Sequence, residues 1–416
     1  QLGGFPAALG TVAALMALLA LVPGLPMAPF MLGAILLAVA AWYVSRKEEA
    51  PALPAPEEAE NAPKEKTMGD MLDLDEIHVE FAEDLVPAVL DEATGLGARI
   101  TNMRNHIVSL YGVVIPEIRL TDDVSLPPGS YAVKIHGVEM GRAQLRVSKA
   151  MVLLGEDPEG APSGEDTTEP VYNAPARWID PDEREAAALA GFSVITPTEI
   201  VATHLLEIIK ANFGRLLTRR ALRKLLDEFV AVSDAGRAAS NRRLLDEFVP
   251  DKVPVDLLQA VLRRLLDEQV SIRNLPLILE AIADAKQATA APDAIAELVR
   301  RRLGFQLVAE SAEPDGALPM IQLGPEWEKL FSEHQIDGED GGTDIALPPS
   351  EFNRLAASVA SKVADASRTG RFPVIATTGR RRRFLRTVLA AKGVRNPVLS
   401  FDEIGPDARP SLVGVA

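Results

Sequence analysis

The first 45 residues carry no Asp, Glu, Lys or Arg, and from Arg46 onward charged side chains recur every few positions. Within the apolar part, Phe5 to Val22 and Phe30 to Ser45 form two runs, separated by Pro23, Gly24, Pro26 and Pro29. A membrane span needs roughly 20 apolar residues, with a range of about 17–25, and the proline–glycine cluster reads as a turn. The pattern predicts a transmembrane helical hairpin over residues 1–45. A buried core hairpin is the competing reading, and the lack of charge on either face argues against it. Trp42 and Tyr43 stand where an interfacial belt belongs, and Arg46 and Lys47 follow at once. The positive-inside rule puts that end in the cytoplasm. The chain starts at Gln1 with no basic stretch before the apolar run, so it reads as part of a longer protein and not as a signal peptide.

Residues 46–74 change texture again. "APALPAPEEAENAPKEK" has no apolar period and reads as an acidic, extended tether. From Asp75 the pattern becomes α/β. "EIHVEF" alternates as a strand does, and "VVIPEIRLTDD" and "GSYAVKIHGVEMGRAQLRV" continue in strand texture with Pro-Gly and His-Gly turns. Between them Ile100, Met103, Ile107 and Leu110 recur at helical spacing, and Gly112 marks the helix end. A polar loop, "GEDPEGAPSGEDTTEP", and a short strand in "GFSVI" follow.

Thr196-Pro197-Thr198-Glu199 then has the form of a capping box with proline at the first helical position. On the helix it opens, Ile200, His204, Leu205, Ile208 and Ile209 make the apolar face, with Glu199, Thr203, Glu207 and Lys210 opposite. Leu216 to Ala285 is helical in pattern, with Val255, Leu258, Leu262, Leu265 and Leu266 as one buried stripe. "LLDEFV" at Leu225 and Leu244, and "LLDEQV" at Leu265, are unequally spaced, so they read as three similar helices and not as a solenoid repeat. Pro276 fits if Asn274 is an N-cap and the helix begins at Leu275. From Gly304, strand and helix patterns alternate through "PMIQL", "GPEWEKLFSEH", "FPVIATTG", "RRRRFLRTVLAAKG" and "NPVLSF", the grammar of a small domain with a partly parallel sheet.

The fold class is therefore multidomain α/β plus α: a hairpin over 1–45, a linker over 46–74, and four cytoplasmic subdomains. These are an α/β unit (75–147 resuming at 197–216), a small inserted α+β unit (148–196), an all-α unit (217–303) and a second α/β unit (304–416).

Charge narrows the partners. The net charge is −16, all of it after Ser45, which disfavours nucleic acid and anionic lipid as binding partners of the soluble part. There is no cysteine, so disulfides and thiolate chemistry are excluded. No phosphate loop, HExxH or GxSxG is present. No nucleophile, base and oxyanion set assembles, so neither catalysis nor a cofactor is expected. His204 and Glu207, three apart, are a weak candidate metal pair, with a packed core histidine as the simpler reading. Arg380 to Arg383 reads as a solvated helix start, or as a patch for an acidic protein partner.

Three stretches carry a resemblance. They are "VVIPEIRLTDDVSLPPGSYAVKIHGVEMGRAQL", then "TEPVYNAPARWI" with "AGFSVITPTEIVATHL", then "LLDEFVPDKVPVDLLQAVLRRLLDEQVSIRNLPLILEAIAD". In order and spacing they resemble the flagella/HR/invasion protein export pore family, the large export-gate component of type III secretion. The likeness is good over about residues 10–305, weaker beyond, and "GVEMGRAQL" leans to the flagellar branch over the injectisome branch.

The resemblance implies a homo-nonameric cytoplasmic ring below an export channel in the bacterial inner membrane. That ring would receive chaperone–substrate complexes and help order export, driven by the proton gradient. Other export-gate membrane proteins and an export ATPase complex would be partners. The family's chaperone-docking depression is flanked by an acid, an aromatic and a threonine, which match Glu169, Tyr172 and Thr203. Tyr172 suits an interface, being rigid and amphipathic; the other reading is that it packs between domains. Two departures stand out: Glu169 replaces an Asp, and Asn173 replaces a Gly.

Overall fold

The computed structural model describes residues 74–416 apart from 92–94, 156–159 and 338–342. The expected hairpin and all but the last residue of the expected tether lie outside the described residues. Among the described residues no helix is long and apolar enough to cross a membrane.

The first sheet has the order β2-β1-β3-β4, built from β1 (Ile77–Phe81), β2 (Ile118–Asp122), β3 (Ser130–Ile135) and β4 (Val138–Gln144). The alternation in "EIHVEF" is real: Ile77, Val79 and Phe81 are buried and the residues between them are half-buried. β1 runs parallel to β2 and antiparallel to β3. The parallel pair needs a crossover, supplied by α1 (Leu96–Tyr111). Gly112 ends α1 at φ 72°, a left-handed cap that glycine takes without strain. On α1 Leu96, Ile100, Met103 and Ile107 are buried, but Leu110, expected on the same stripe, is 48% exposed. It lies in the last turn, where it borders an open cleft instead of the sheet. β3 and β4 are joined through His136 and Gly137, both at positive φ (47° and 78°), as a two-residue hairpin with the right-handed strand twist requires.

A second, antiparallel sheet follows in the order β6-β7-β5-β8. Its strands are β5 (Ala150–Leu153), β6 (Glu165–Thr168), β7 (Pro175–Ile179) and β8 (Val194–Ile195), with the short α2 (Arg184–Leu189) before β8. The chain then enters α3 (Pro197–Ala211) through the expected capping box. The Glu199 N–H donates to Thr196 Oγ1 at 3.3 Å, and the Thr196 N–H to Glu199 Oε2 at 2.8 Å.

The helices α4 (Arg219–Val230), α5 (Ala235–Phe248), α6 (Val255–Asp267), α7 (Leu275–Ala285), α8 (Pro292–Arg302) and α9 (Gly304–Ser311) come next. The repeated "LLDE" phrase closes α4, α5 and α6 in turn. Its two leucines are fully buried only in α6, at Leu265 and Leu266. Asn274 caps α7, accepting from the Leu277 N–H, which lets Pro276 sit inside the first turn.

The third sheet, β13-β12-β9-β14, is parallel at every pairing and not only in part. It contains β9 (Ala317–Gln322), β12 (Val374–Thr377), β13 (Val398–Ser400) and β14 (Arg409–Val415). The small antiparallel pair β10 (Gln335–Asp337) and β11 (Thr343–Ile345) lies between β9 and β12 in sequence. The helices here are α10 (Pro325–Glu333), α11 (Pro349–Ser367), α12 (Gly379–Ala391) and α13 (Phe401–Ile404). Parallel sheets are buried on both faces, and β12 shows how. Val374 and Ala376 pack into the core shared with the first sheet and the helices, while Ile375 points to a second core with Trp327, Phe331, Leu355 and Leu385.

The arginine run departs from its sequence reading at two of its four positions. Arg380 is exposed, but Arg382 is 0% and Arg381 8% exposed. Arg382 donates to both oxygens of Glu268, at 2.5 and 3.0 Å, and to Glu297 at 2.6 Å. Arg383 donates to Asp293 at 2.6 Å. Arg300, also buried, reaches Glu403 at 2.7 Å and Glu268 at 3.3 Å. The acidic partners of Arg382 and Arg383 are carried by this chain's own helices, so Arg381 and Arg382 form an internal rivet, while Arg380 and Arg383 stay exposed as a solvated helix start would. Burial opposes the Arg382 charge, but the hydrogen bonds it donates to Glu297 and Glu268 outweigh that and hold the guanidinium protonated. The same bonds keep the Glu268 carboxyl below its ordinary range despite its burial.

Candidate functional site

Glu169, Tyr172 and Thr203 come from two elements. Glu169 and Tyr172 lie in the turn between β6 and β7; Thr203 lies on α3. The turn is fixed by its own backbone: the Glu169 N–H donates to Ala174 O at 2.8 Å and the Asn173 N–H to Glu169 O at 3.0 Å. Asn173 takes φ 56°, in the left-handed region. Asparagine tolerates that conformation better than most residues, which accounts for its standing where the family pattern has glycine.

Glu169 is 4% exposed. Its carboxylate folds back on the turn: Oε1 accepts from the Val171 N–H at 2.9 Å and Oε2 from the Tyr172 N–H at 2.7 Å. Both oxygens are thus engaged by backbone, so Glu169 acts as the clamp that shapes the turn. That clamp presents Tyr172, whose side chain is 59% exposed. The Tyr172 hydroxyl donates to Glu207 Oε1 at 3.2 Å, tying the turn to α3. Partial burial and the Glu207 charge both push the phenol pKa up, so the proton stays on oxygen.

Thr203 is half-buried, and its hydroxyl donates to Glu199 O at 2.9 Å, the back-bond common for threonine inside a helix. Thr203 and Glu207 are four apart and therefore neighbours on one helix face. The structure thus sets the Tyr172 contact one turn along α3 from Thr203 and gives Glu169 a different task from the other two.

Sequence reasoning missed the residues around Glu207. The Glu207 side chain is only 17% exposed, and Oε1 also accepts from Lys210 Nζ at 2.9 Å. Arg395, 71% exposed and carried by the segment between α12 and β13, approaches Oε2 at 3.6 Å. A neutral phrase such as "LEIIK" signals a helix and no such meeting.

His204 and Glu207 do not converge on a common point. His204 Nδ1 is 2.7 Å from the Tyr131 hydroxyl, beneath β4, where Gly141 leaves room for the ring. Burial lowers the imidazole pKa, with the Glu169 charge acting weakly against it, and burial raises the Tyr131 pKa. A neutral ring accepting from the tyrosine O–H satisfies both groups. His204 is therefore a packed histidine under the Glu169 turn.

The FHIPEP family model matches residues 1–409. The chain belongs to the FHIPEP family. Among its curated relatives, the flagellar biosynthesis protein FlhA of Caulobacter vibrioides is 34% identical over 425 residues, covering 100% of this chain and 59% of that protein. FlhA of Escherichia coli is 30% identical over 379 residues, covering 90% of this chain and 53% of that protein. This FHIPEP chain spans about half to three-fifths of the length of these two relatives. The Chlamydia pneumoniae CdsV protein superposes with TM-score 0.70 at 22% identity, over 82% of this chain and 98% of that one. The nonameric EscV cytosolic domain from the type III secretion system does so with TM-score 0.62 at 17% identity, over 82% and 96%. At those identities the likeness establishes the fold alone, an arrangement of α-helices and β-sheets shared with these structures.

Proposed function

We propose that this chain is the C-terminal portion of the export-gate subunit of a flagellar type III secretion apparatus, and that its soluble body docks chaperone–substrate complexes. Family membership and the flagellar names of its curated relatives support the reading. The observation that carries the docking part is Tyr172, held outward by a buried carboxylate clamp. A large, mostly exposed aromatic on a turn pinned by its own backbone offers an anchor to a partner, and such anchors dominate interface energetics.

In this reading residues 1–45 are the last two helices of an inner-membrane domain and 46–74 the tether. Residues 75–147 with 197–216, 148–196, 217–303 and 304–416 make the four cytoplasmic subdomains. Nine copies form a ring below the channel, in keeping with the nonameric assemblies of its structural neighbours. The ring passes cargo inward with energy from the proton gradient, beside other gate proteins and an ATPase complex. Glu169, Tyr172 and Thr203 flank the docking face, Glu169 by shaping it.

The test is binding of chaperone–substrate complexes from the same bacterium to the full chain and to a Tyr172→Ala/Thr203→Ala variant. Loss of binding in the variant is the expected result. Undiminished binding by the variant would overturn this placement of the docking face.

A further inference from the structure

Three features around Tyr172 bear on what its partner must look like. First, the Glu169 carboxylate is buried and bonded only to backbone N–H groups; no Lys or Arg pairs with it among the described residues. Its charge is therefore not cancelled locally. Second, Glu207 is a largely sheltered carboxylate on the same face, holding the Tyr172 hydroxyl and Lys210. Third, the remaining cation at Glu207 comes from a distant element. Arg395 stands 3.6 Å from Oε2, too far for a hydrogen bond, and its side chain is 71% exposed. Long, exposed ion pairs of this kind add little and are readily exchanged. Two carboxylates against one fixed lysine leave the face negative wherever Arg395 is drawn away. Arg395 also borders a cleft of about 380 Å3, where Glu310 is one of the lining acids and Glu268 is already paired with Arg382 and Arg300.

Resting on the docking reading above, we propose that Glu207 selects the charge of the partner. It accepts a lysine or arginine side chain of the docked protein at the place Arg395 takes in this structure, while Tyr172 packs against an apolar neighbour of that cation. Arg395 is the resident competitor. The partner segment is thus a basic residue beside an apolar one, and not an acidic segment. Lys210 stays on Glu207 Oε1 throughout, three residues along its own helix.

The experiment measures the affinity of the full chain for a chaperone–substrate complex purified from the same bacterium, across a salt series. The variants are Arg395→Ala, Glu207→Gln, their combination, and Tyr172→Ala. The expected outcome is several-fold tighter binding by Arg395→Ala, with a steeper loss of affinity as salt rises. Glu207→Gln should bind several-fold more weakly, and Arg395→Ala should have no further effect in that background. Arg395 is mostly exposed and Glu207→Gln keeps the shape of the sheltered side chain, so circular dichroism of each variant should match the parent. If Arg395→Ala and Glu207→Gln bind like the parent while Tyr172→Ala fails to bind, the docking face stands and the charge selection is wrong. If Tyr172→Ala binds normally, the docking reading fails and this inference falls with it.

Discussion

Arg382 and Glu268 meet end-on, two parallel hydrogen bonds of 2.5 and 3.0 Å joining α12 to the end of α6, with no part of the arginine side chain in contact with solvent. Removing one member of a buried ion pair strands the other. Arg382→Ala should therefore destabilise the fold by about 3–5 kcal/mol, leaving Glu268 and Glu297 facing each other. Arg382→Met, made together with Glu268→Gln and Glu297→Gln, should recover a large part of that loss. Urea denaturation of the three proteins decides it; an alanine variant as stable as the parent would refute the rivet.

The clamp at Glu169 predicts a similar asymmetry. In Glu169→Gln one acceptor becomes an NH2 donor facing a backbone N–H, so one buried donor loses its partner, at a cost of about 1–3 kcal/mol. The larger effect should be on binding, because the turn that holds Tyr172 loosens while Tyr172 itself is untouched. Chaperone-complex affinity should fall nearly as far as in Tyr172→Ala. Hydrogen exchange at the amides of Val171 and Tyr172 should speed up in the same variant.

How much of this was legible is best judged at single residues. Thr196 to Glu199 announced the start of α3, and Asn274 and Pro276 announced α7, because capping chemistry acts within four residues. Leu110 was misplaced because periodicity fixes a helix face but not how far the opposing sheet extends beneath it. The arginine run was misread because its acids lie 85 and 114 residues earlier, at Glu297 and Glu268. Within the candidate site, Tyr172 and Thr203 came through resemblance. The inward role of Glu169 and the place of Glu207 depend on a turn meeting a helix, which no local pattern encodes.

The capping box itself can be weighed. Thr196→Ala removes the acceptor for the Glu199 N–H, and such losses cost about 1 kcal/mol. Chemical denaturation should show that drop, and Thr196→Ser should show little. No change in either would mean that packing of Ile200, Val201 and Leu205 alone sets the start of α3.

Acid should weaken the fold through two half-buried histidines. Burial lowers the pKa of His204, and that of His78 as well, below the ordinary value of 6.5. Above 6.5 both folded and unfolded chains hold these rings neutral, so the rings contribute no pH dependence. As pH falls through 6.5 toward the lower folded values, the unfolded chain takes up protons that the folded chain refuses, and stability declines. Urea midpoints measured between pH 7.5 and 5.5 should fall for the parent and fall less steeply for His204→Gln, whose amide can still accept from Tyr131. Equal slopes in parent and variant would remove His204 from this account.

The order of strands in the third sheet has a consequence for how the protein is made. β9 leaves the ribosome first yet lies between β12 and β14, neither of which exists until well after it has emerged. Glu268 and Glu297 are synthesised earlier still and must stay hydrated until Arg382 arrives. Synthesis can finish the first sheet and the helices in sequence, but the last layer can only close as a single late event. The charges that pin it are then among the final contacts to form, so the C-terminal layer is locked in place only once the tail of the chain has been translated.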